Sequence, residues 1–284
     1  LSSDGTSLLL DGTAIGGGGS PTLYAESLSG ATSPTATGTN SVAIGSDAQA
    51  TATNGSIAFG TATRASGNAN AAIGYQANAA GVGALATGYL ANAAADFSTA
   101  VGRNAKTATG SNATALTNSY ASGANSFAAA IANNTSTYGA TGSGSVAMMN
   151  YAKASGSNSG AIGFGANATG SFAHAFGAQS FATASSSLAL GKQCQSTADY
   201  STSIGRGAIN PIKGSFKFSG SYFSAAGDSQ IGMYPLQIDT SDATPVVLVT
   251  DENSTPGAGT TNQVVLPNNS AYSFSGTIIA RQQA

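Results

Sequence analysis

Ser41-Val42-Ala43-Ile44-Gly45 is the stretch that decides the fold, because it returns along the chain at a nearly constant interval. With its glycine as anchor, it recurs at Gly60, Gly74, Gly88, Gly102, Gly163, Gly177, Gly191 and Gly205, and degenerate copies stand at Thr117, Ala132 and Met149. The intervals are 15, 14, 14, 14, 15, 15, 17, 14, 14, 14 and 14 residues. A short fixed period means a stack of similar turns, each burying its apolar side against the next. Twelve such coils, at ~4.8 Å per coil, predict a shaft roughly 55–60 Å long.

The phases of the repeat carry the rest. One residue before the anchor stand Ile44, Phe59, Ile73, Val101, Leu116, Ile131, Met148, Ile162, Phe176, Leu190 and Ile204, with Thr87 as the exception. Two before it is Ala in every coil until Ser203, and three before it are Val42, Ile57, Leu85, Val146 and Leu188, mixed with Thr99, His174 and Thr202. Neighbouring strand residues point to opposite faces, so one face is small and the other bulky and apolar. A second short strand follows, with small residues at alternate places: Ala48 and Ala50, Ala77 and Ala79, Ala91 and Ala93, Ala166 and Ala168.

A coil of about 14 residues encloses a lumen too narrow for much beyond alanine, so the Ala phase is assigned to the inside. The bulky phase then points outward as a continuous apolar ladder, which a soluble monomer rarely exposes. Identical chains packed about a three-fold axis would bury it. The residues expected at that axis are Val42, Ile44, Ile57, Phe59, Ile73, Leu85, Val101, Ile162, His174, Phe176, Leu188, Leu190 and Ile204.

Composition agrees with a thin structure dominated by backbone. Charged residues make up 7 % of the chain, far below the usual quarter or so. Hydrophobic residues reach 41 %, mostly alanine, and there is no Trp, so side chains for a large globular core are missing. A formal net charge of −2 with few basic residues gives no support to phosphate neutralisation, and nucleic acid is not an expected partner. No apolar run reaches the length of a membrane-spanning helix, so no membrane insertion is expected. The single cysteine, Cys194, allows no disulfide framework within the chain.

The Ser-Val-Ala-Ile-Gly core at this period resembles the head of YadA-type trimeric autotransporter adhesins; Gly160-Ala161-Ile162-Gly163 and Ser187-Leu188-Ala189-Leu190-Gly191 fit the same pattern. The resemblance covers about Asn40 to Ala208 and implies an all-β, left-handed parallel β-roll that forms a homotrimer. The basic neck that usually closes such heads is absent, and Asn210-Pro211-Ile212 leads instead into a different module. The tail, from Asn262-Gln263-Val264-Val265-Leu266 through Ile279-Ala280-Arg281-Gln282, is similar to segments of tailed-phage fibre and virion proteins. The strings Ser3-Asp4-Gly5-Thr6 and Asp11-Gly12-Thr13 are similar to ones that precede repeats in structural proteins of marine phages, cyanophages among them.

Three regions are therefore expected: a linker or capping segment over 1–39, the solenoid shaft over 40–210, and a small β-rich module over 211–284. In the first, Gly16 to Ser20 reads as linker and Pro21 to Tyr24 as the start of a capping strand. In the last, where the period is expected to stop at Lys213, strands are predicted at 216–218, 236–238, 246–250, 263–266 and 273–280. The end at Ala284, just after a predicted strand, reads as truncation.

Candidate chemistry is sparse, and the chain is expected not to be an enzyme and to need no cofactor or metal. Glycoside cleavage needs two carboxylates a few ångströms apart. Asp96 and Asp199 share a phase but lie seven coils apart, and the acidic residues near the C-terminus sit at turn-like places. His174 falls in the outward phase, where three copies could approach each other and hold an ion; a hydrated polar layer is the simpler reading. Cys194 falls in a small-residue phase, as a buried thiol. Thr-x-Thr pairs fall in differing phases and cannot form a flat ice-binding array. Tyr120, Tyr138 and Tyr151 adjoin the irregular coils and are candidate surface-loop contacts. The functional expectation is a trimeric virion fibre of a tailed phage, touching other virion proteins and a host-cell receptor. The alternatives are a bacterial adhesin head at the cell surface and a polysaccharide depolymerase spike.

Overall fold

The computed structural model describes residues 2–3, 8–10, 13–15, 32–132, 136–238, 245–251, 262–264 and 271–277. From Thr35 to Ser219 the chain winds as a parallel β-solenoid of thirteen turns, and no helix occurs among the described residues. Each turn has one longer strand, of three residues in most turns, such as Val42–Ile44, and of four or five in the last three, and one two-residue strand, such as Gln49–Ala50. The longer strands stack as one sheet and the shorter ones as another, each strand pairing with its equivalent one turn on. The register follows the repeat: Val42, Ala43 and Ile44 lie against Ile57, Ala58 and Phe59, which lie against Ala71, Ala72 and Ile73.

Two left-handed corners make the coil possible. At the anchor, glycine adopts φ near +128° at Gly88, where a Cβ would lie 2.6 Å from the carbonyl oxygen of Gly102. That clash and the positive φ together explain why this phase is glycine in most coils. The second corner, five residues before the anchor, is also left-handed and is filled by Asn40, Asn112, Asn125, Asn158, Phe97 and Tyr200 among others. Between corner and strand sits a serine that the sequence reading passed over. Ser98, Ser126, Ser145, Ser187, Ser201 and Ser215 are buried, and each donates its hydroxyl to the carbonyl three residues earlier at 2.6–2.7 Å. The hydroxyl thus satisfies a corner carbonyl that the sheet ladders leave free.

The lumen is alanine, as expected. The rows Ala43, Ala58, Ala72, Ala86, Ala100 and Ala50, Ala65, Ala79, Ala93 face inward and are fully or almost fully buried. Towards the C-terminal end the filling turns polar, and hydrogen bonds compensate. Ser196 and Ser203 bond each other at 2.9 Å, and Asn210 donates to the carbonyls of Thr202 and Ser215.

Three features differ from the sequence reading. The irregular coil anchors on Ala130, not Ala132: Phe127 and Ala128 lie against Thr114 and Ala115, and Met148 against Ala129. Ile131 is accordingly not in the outward row; it turns inward with no exposed surface. The intervals become 13 and 19, so the additional residues fall between Ala130 and the strand Gly139–Ala140. The stack also continues for one turn beyond Lys213, since Thr202, Ser203 and Ile204 pair with Phe216, Lys217 and Phe218. Finally, the sheet ends with Ile231–Met233 running antiparallel to Phe216–Ser219, a hairpin not expected from the pattern.

Beyond the hairpin, the predicted strands at 236–238 and 246–250 meet only through a single antiparallel bridge between Gln237 and Val249. Residues 273–277 form no strand, and most of 263–266 and 278–280 lies outside the described residues. Near the N-terminus, Ser2–Ser3, Leu8–Leu10 and Thr13–Ile15 form a three-stranded antiparallel sheet. The linker reading of 16–20 and the capping strand at 21–24 lie outside the described residues.

Candidate functional site

The strand period that sends alanine inward sends its two neighbours outward, three and one residues before the anchor. The structure places Val42, Ile44, Ile57, Phe59, Ile73, Leu85, Val101, Ile162, His174, Phe176, Leu188, Leu190 and Ile204 on the outer side of the long-strand sheet, half-buried or exposed. Phe59 keeps 52 % of its surface open while Ala58 beside it has none. Parallel register stacks them into two rows, so Ile162, Phe176, Leu190 and Ile204 follow one another coil by coil, and Phe218 extends the row. The rows are bulky at both ends and thin in the middle, where Ala71, Thr87, Thr99, Thr114 and Ala129 stand in the same phases.

The short-strand sheet presents a different outer row from the same coils. Gln49, Arg64, Asn78, Asn92, Lys106, Lys153, Asn167 and Gln195 point outward there. Arg64 donates to the Gln49 side chain at 2.7 Å and pairs with Asp47 at 3.7 Å. Tyr120, Phe181 and Ile209 interrupt this row, and the Lys106 ammonium lies 5.8 Å from the Tyr120 ring centre.

His174 stacks on Phe176 with ring centres 5.7 Å apart. Its imidazole lies over Gly160, where a Cβ would come within 2.8 Å of Nδ1, so the glycine of the preceding coil makes room for the ring. Among the described residues, no group of three or more His, Cys, Asp and Glu side chains comes together in one chain. Asp96, Asp199 and Asp228 serve the backbone instead. Asp96 accepts the Val82 N–H and Asp199 the Ser185 N–H, each at 2.9 Å across one coil. Asp228 accepts three backbone N–H groups, from Phe223, Ser224 and Ala225, and these hold its pKa below the usual carboxylate value. Cys194 is buried in the lumen, with Sγ 3.1 Å from the Gly205 carbonyl oxygen, and burial pushes its pKa up.

Of the three tyrosines singled out, two come together. Tyr138 meets Tyr151 edge-on at 5.3 Å, and Phe164, not anticipated, meets Tyr151 at 5.6 Å. Tyr120 stands apart on the short-strand face. Two shallow depressions flank the last coils, about 330 Å³ beside Phe181 and Tyr222 and about 460 Å³ beside Phe216 and Tyr234; no carboxylate, histidine or lysine lines either. Among the described residues, the long-strand face is thus a continuous apolar surface that asks for a partner.

Comparison with known families converges on the same coils. The repeats match the YadA head domain repeat. The matched stretches are residues 36–61, 71–91, 79–105, 168–193 and 182–208. The interval from 106 to 167 holds the coils anchored on Thr117, Ala130 and Met149, where the glycine corner is lost, and the one anchored on Gly163, where it returns. No curated protein sequence matches the chain. YadA-type head repeats in a parallel solenoid favour the adhesin head over the virion fibre, to which these matches lend no support.

Proposed function

We propose that this chain is the head of a trimeric bacterial surface adhesin, a non-enzymatic module that holds binding surfaces away from the cell. The observation that carries this is the uncovered apolar double row on the long-strand sheet, opposite a polar row on the short-strand sheet. An apolar face running the length of a solenoid needs cover, and three copies closing their faces on one axis leave none of it in water. The match to YadA head repeats supports the same arrangement. The polar short-strand faces then form the outside of the shaft. Three identical chains raise the local concentration of weak contacts, so attachment strengthens without any single tight site.

Beads coated with the full chain should adhere to host cells or matrix-coated surfaces more strongly than beads coated with an inert protein. The variant Phe59→Asp/Phe176→Asp, which puts charge on the apolar rows, should lose that adherence. Wild-type beads that bind no better than inert ones would refute the adhesin reading. The virion-fibre reading rests on the resemblance of residues 262–282 and of the Asp-Gly-Thr strings alone, and the repeat matches add nothing to it.

A further inference from the structure

Two coils seven turns apart repeat one another almost residue for residue. They are Ala95-Asp96-Phe97-Ser98-Thr99-Ala100-Val101-Gly102-Arg103 and Ala198-Asp199-Tyr200-Ser201-Thr202-Ser203-Ile204-Gly205-Arg206. In each, the long strand runs from a corner with an aspartate and an open aromatic ring to a corner with an arginine. Phe97 and Tyr200 are 61 % and 63 % exposed. Among the thirteen coils, these alone carry Asp six residues before the anchor, and these alone carry Arg one residue after it. In a chain with only 9 basic and 11 acidic residues, that coincidence needs a cause.

Pairing within the chain is not the cause. The two charges of a coil sit at opposite ends of the strand, roughly 15–20 Å apart at the rise of extended chain. Among the described residues, the ion pairs are Arg64 with Asp47 and Lys213 with Asp251. The Arg103 side chain has no partner there, and that of Arg206 has only the Tyr222 ring, 5.0 Å away. Asp96 and Asp199 each engage one carboxylate oxygen with a backbone N–H, which leaves the second oxygen to accept another donor.

Three-fold symmetry supplies that donor. Neighbours in a closed ring meet through unlike surfaces, so one corner of each face approaches the opposite corner of the next. Rotation about the axis does not change height, and each coil therefore meets the same coil of its neighbour. Arginine corner and aspartate corner then arrive together, twice along the shaft. We propose that Arg103 pairs with Asp96 of the partner subunit, and Arg206 with Asp199 of the partner subunit, as two charged clamps that fix the axial register of the trimer. The inference rests on the three-chain assembly proposed above. Its physical purpose follows from the repeat: apolar rows with a 14-residue period can slip by one coil at little cost. The slip would set Arg103 against Val82 or Ser111 and Asp96 against Tyr89 or Asn118, unpaired. At the second clamp Lys192, in the phase of Arg206, could still meet Asp199 after a slip in one direction, so the first clamp carries the penalty. An exposed ion pair adds little affinity, so the clamps act on specificity.

A carbodiimide joins a carboxylate to an amine only where the two touch, forming an amide as the activating urea leaves. The full chain with Arg103→Lys, so treated, should yield covalent dimers and trimers on a denaturing gel. Peptide mass spectrometry should locate the link between positions 103 and 96, a span too long to be bridged within one chain. The link should be absent from Arg103→Lys/Asp96→Asn, and Arg206→Lys should give the same result with position 199. A trimer by light scattering with neither link would overturn the clamps and leave the assembly standing. The mass of a single chain would overturn both.

Discussion

The two outer faces of the solenoid are built by the same coils and differ in nearly every side chain. One row of the long-strand sheet reads Ile44, Phe59, Ile73 at one end and Ile162, Phe176, Leu190, Ile204, Phe218 at the other. The short-strand sheet reads Gln49, Arg64, Asn78, Asn92, Lys106, with Lys153 and Asn167 further on. Both sheets share the parallel ladder and the alanine lumen, so neither the fold nor its internal packing requires the contrast. The assembly proposed above accounts for it: water outside one face, the apolar rows of identical chains against the other.

The largest test of that contrast places charge on the apolar side. Phe59→Asp/Phe176→Asp should cut the molar mass in solution to one third while circular dichroism still reports β-structure. Retention of the trimer would mean that the long-strand face is not the interface. A smaller effect is expected from the lumen, which both faces share. Ala100→Leu adds bulk between Ala86 and Ala115, and should lower thermal stability by ~1–3 kcal/mol without changing the mass.

Lys217 gives a third test, because it stands in the lumen row after Ala189 and Ser203 and is nearly buried. Burial lowers its pKa below that of ordinary lysine. The unfolded chain then holds this proton to a higher pH than the folded one, so stability rises as pH climbs through the folded value towards the unfolded value. The buried Cys194 thiol, with its raised pKa, works in the opposite direction, so the reading is a difference. The urea midpoint of the wild type should gain on that of Lys217→Met as pH rises from neutral to about 10. The smallest effect belongs to the polar face. Asn92→Asp, beside Lys106, should leave the mass unchanged and shift stability by no more than about 0.5 kcal/mol.

Much of this architecture was legible in the sequence because a coil this small leaves few choices. Glycine marks the positive-φ corner, alanine the lumen, and isoleucine or phenylalanine the outside. Those marks fail in two places. In Ala128-Ala129-Ala130-Ile131-Ala132 alanine fills every phase, and Ile131 mimics an outward residue before an anchor. Ser126 was the better guide, since its hydroxyl bond to the Gly123 carbonyl recurs at the same phase in the coils of Ser98 and Ser145. The thirteenth turn was hidden by Lys217 in the alanine phase and Ser219 at the anchor, although Phe216 and Phe218 keep the outward period. The candidate interface was legible as a face, whereas the Asp and Arg clamps needed the corners of the coil to be located first.

The molar mass of the full chain in solution, by light scattering after size exclusion, tests the central claim most directly. The long-strand face as a shared axis predicts three times 27.4 kDa, independent of moderate dilution. A stable, soluble species of 27.4 kDa would show that the apolar rows tolerate water, and the assembly argued from them would fall.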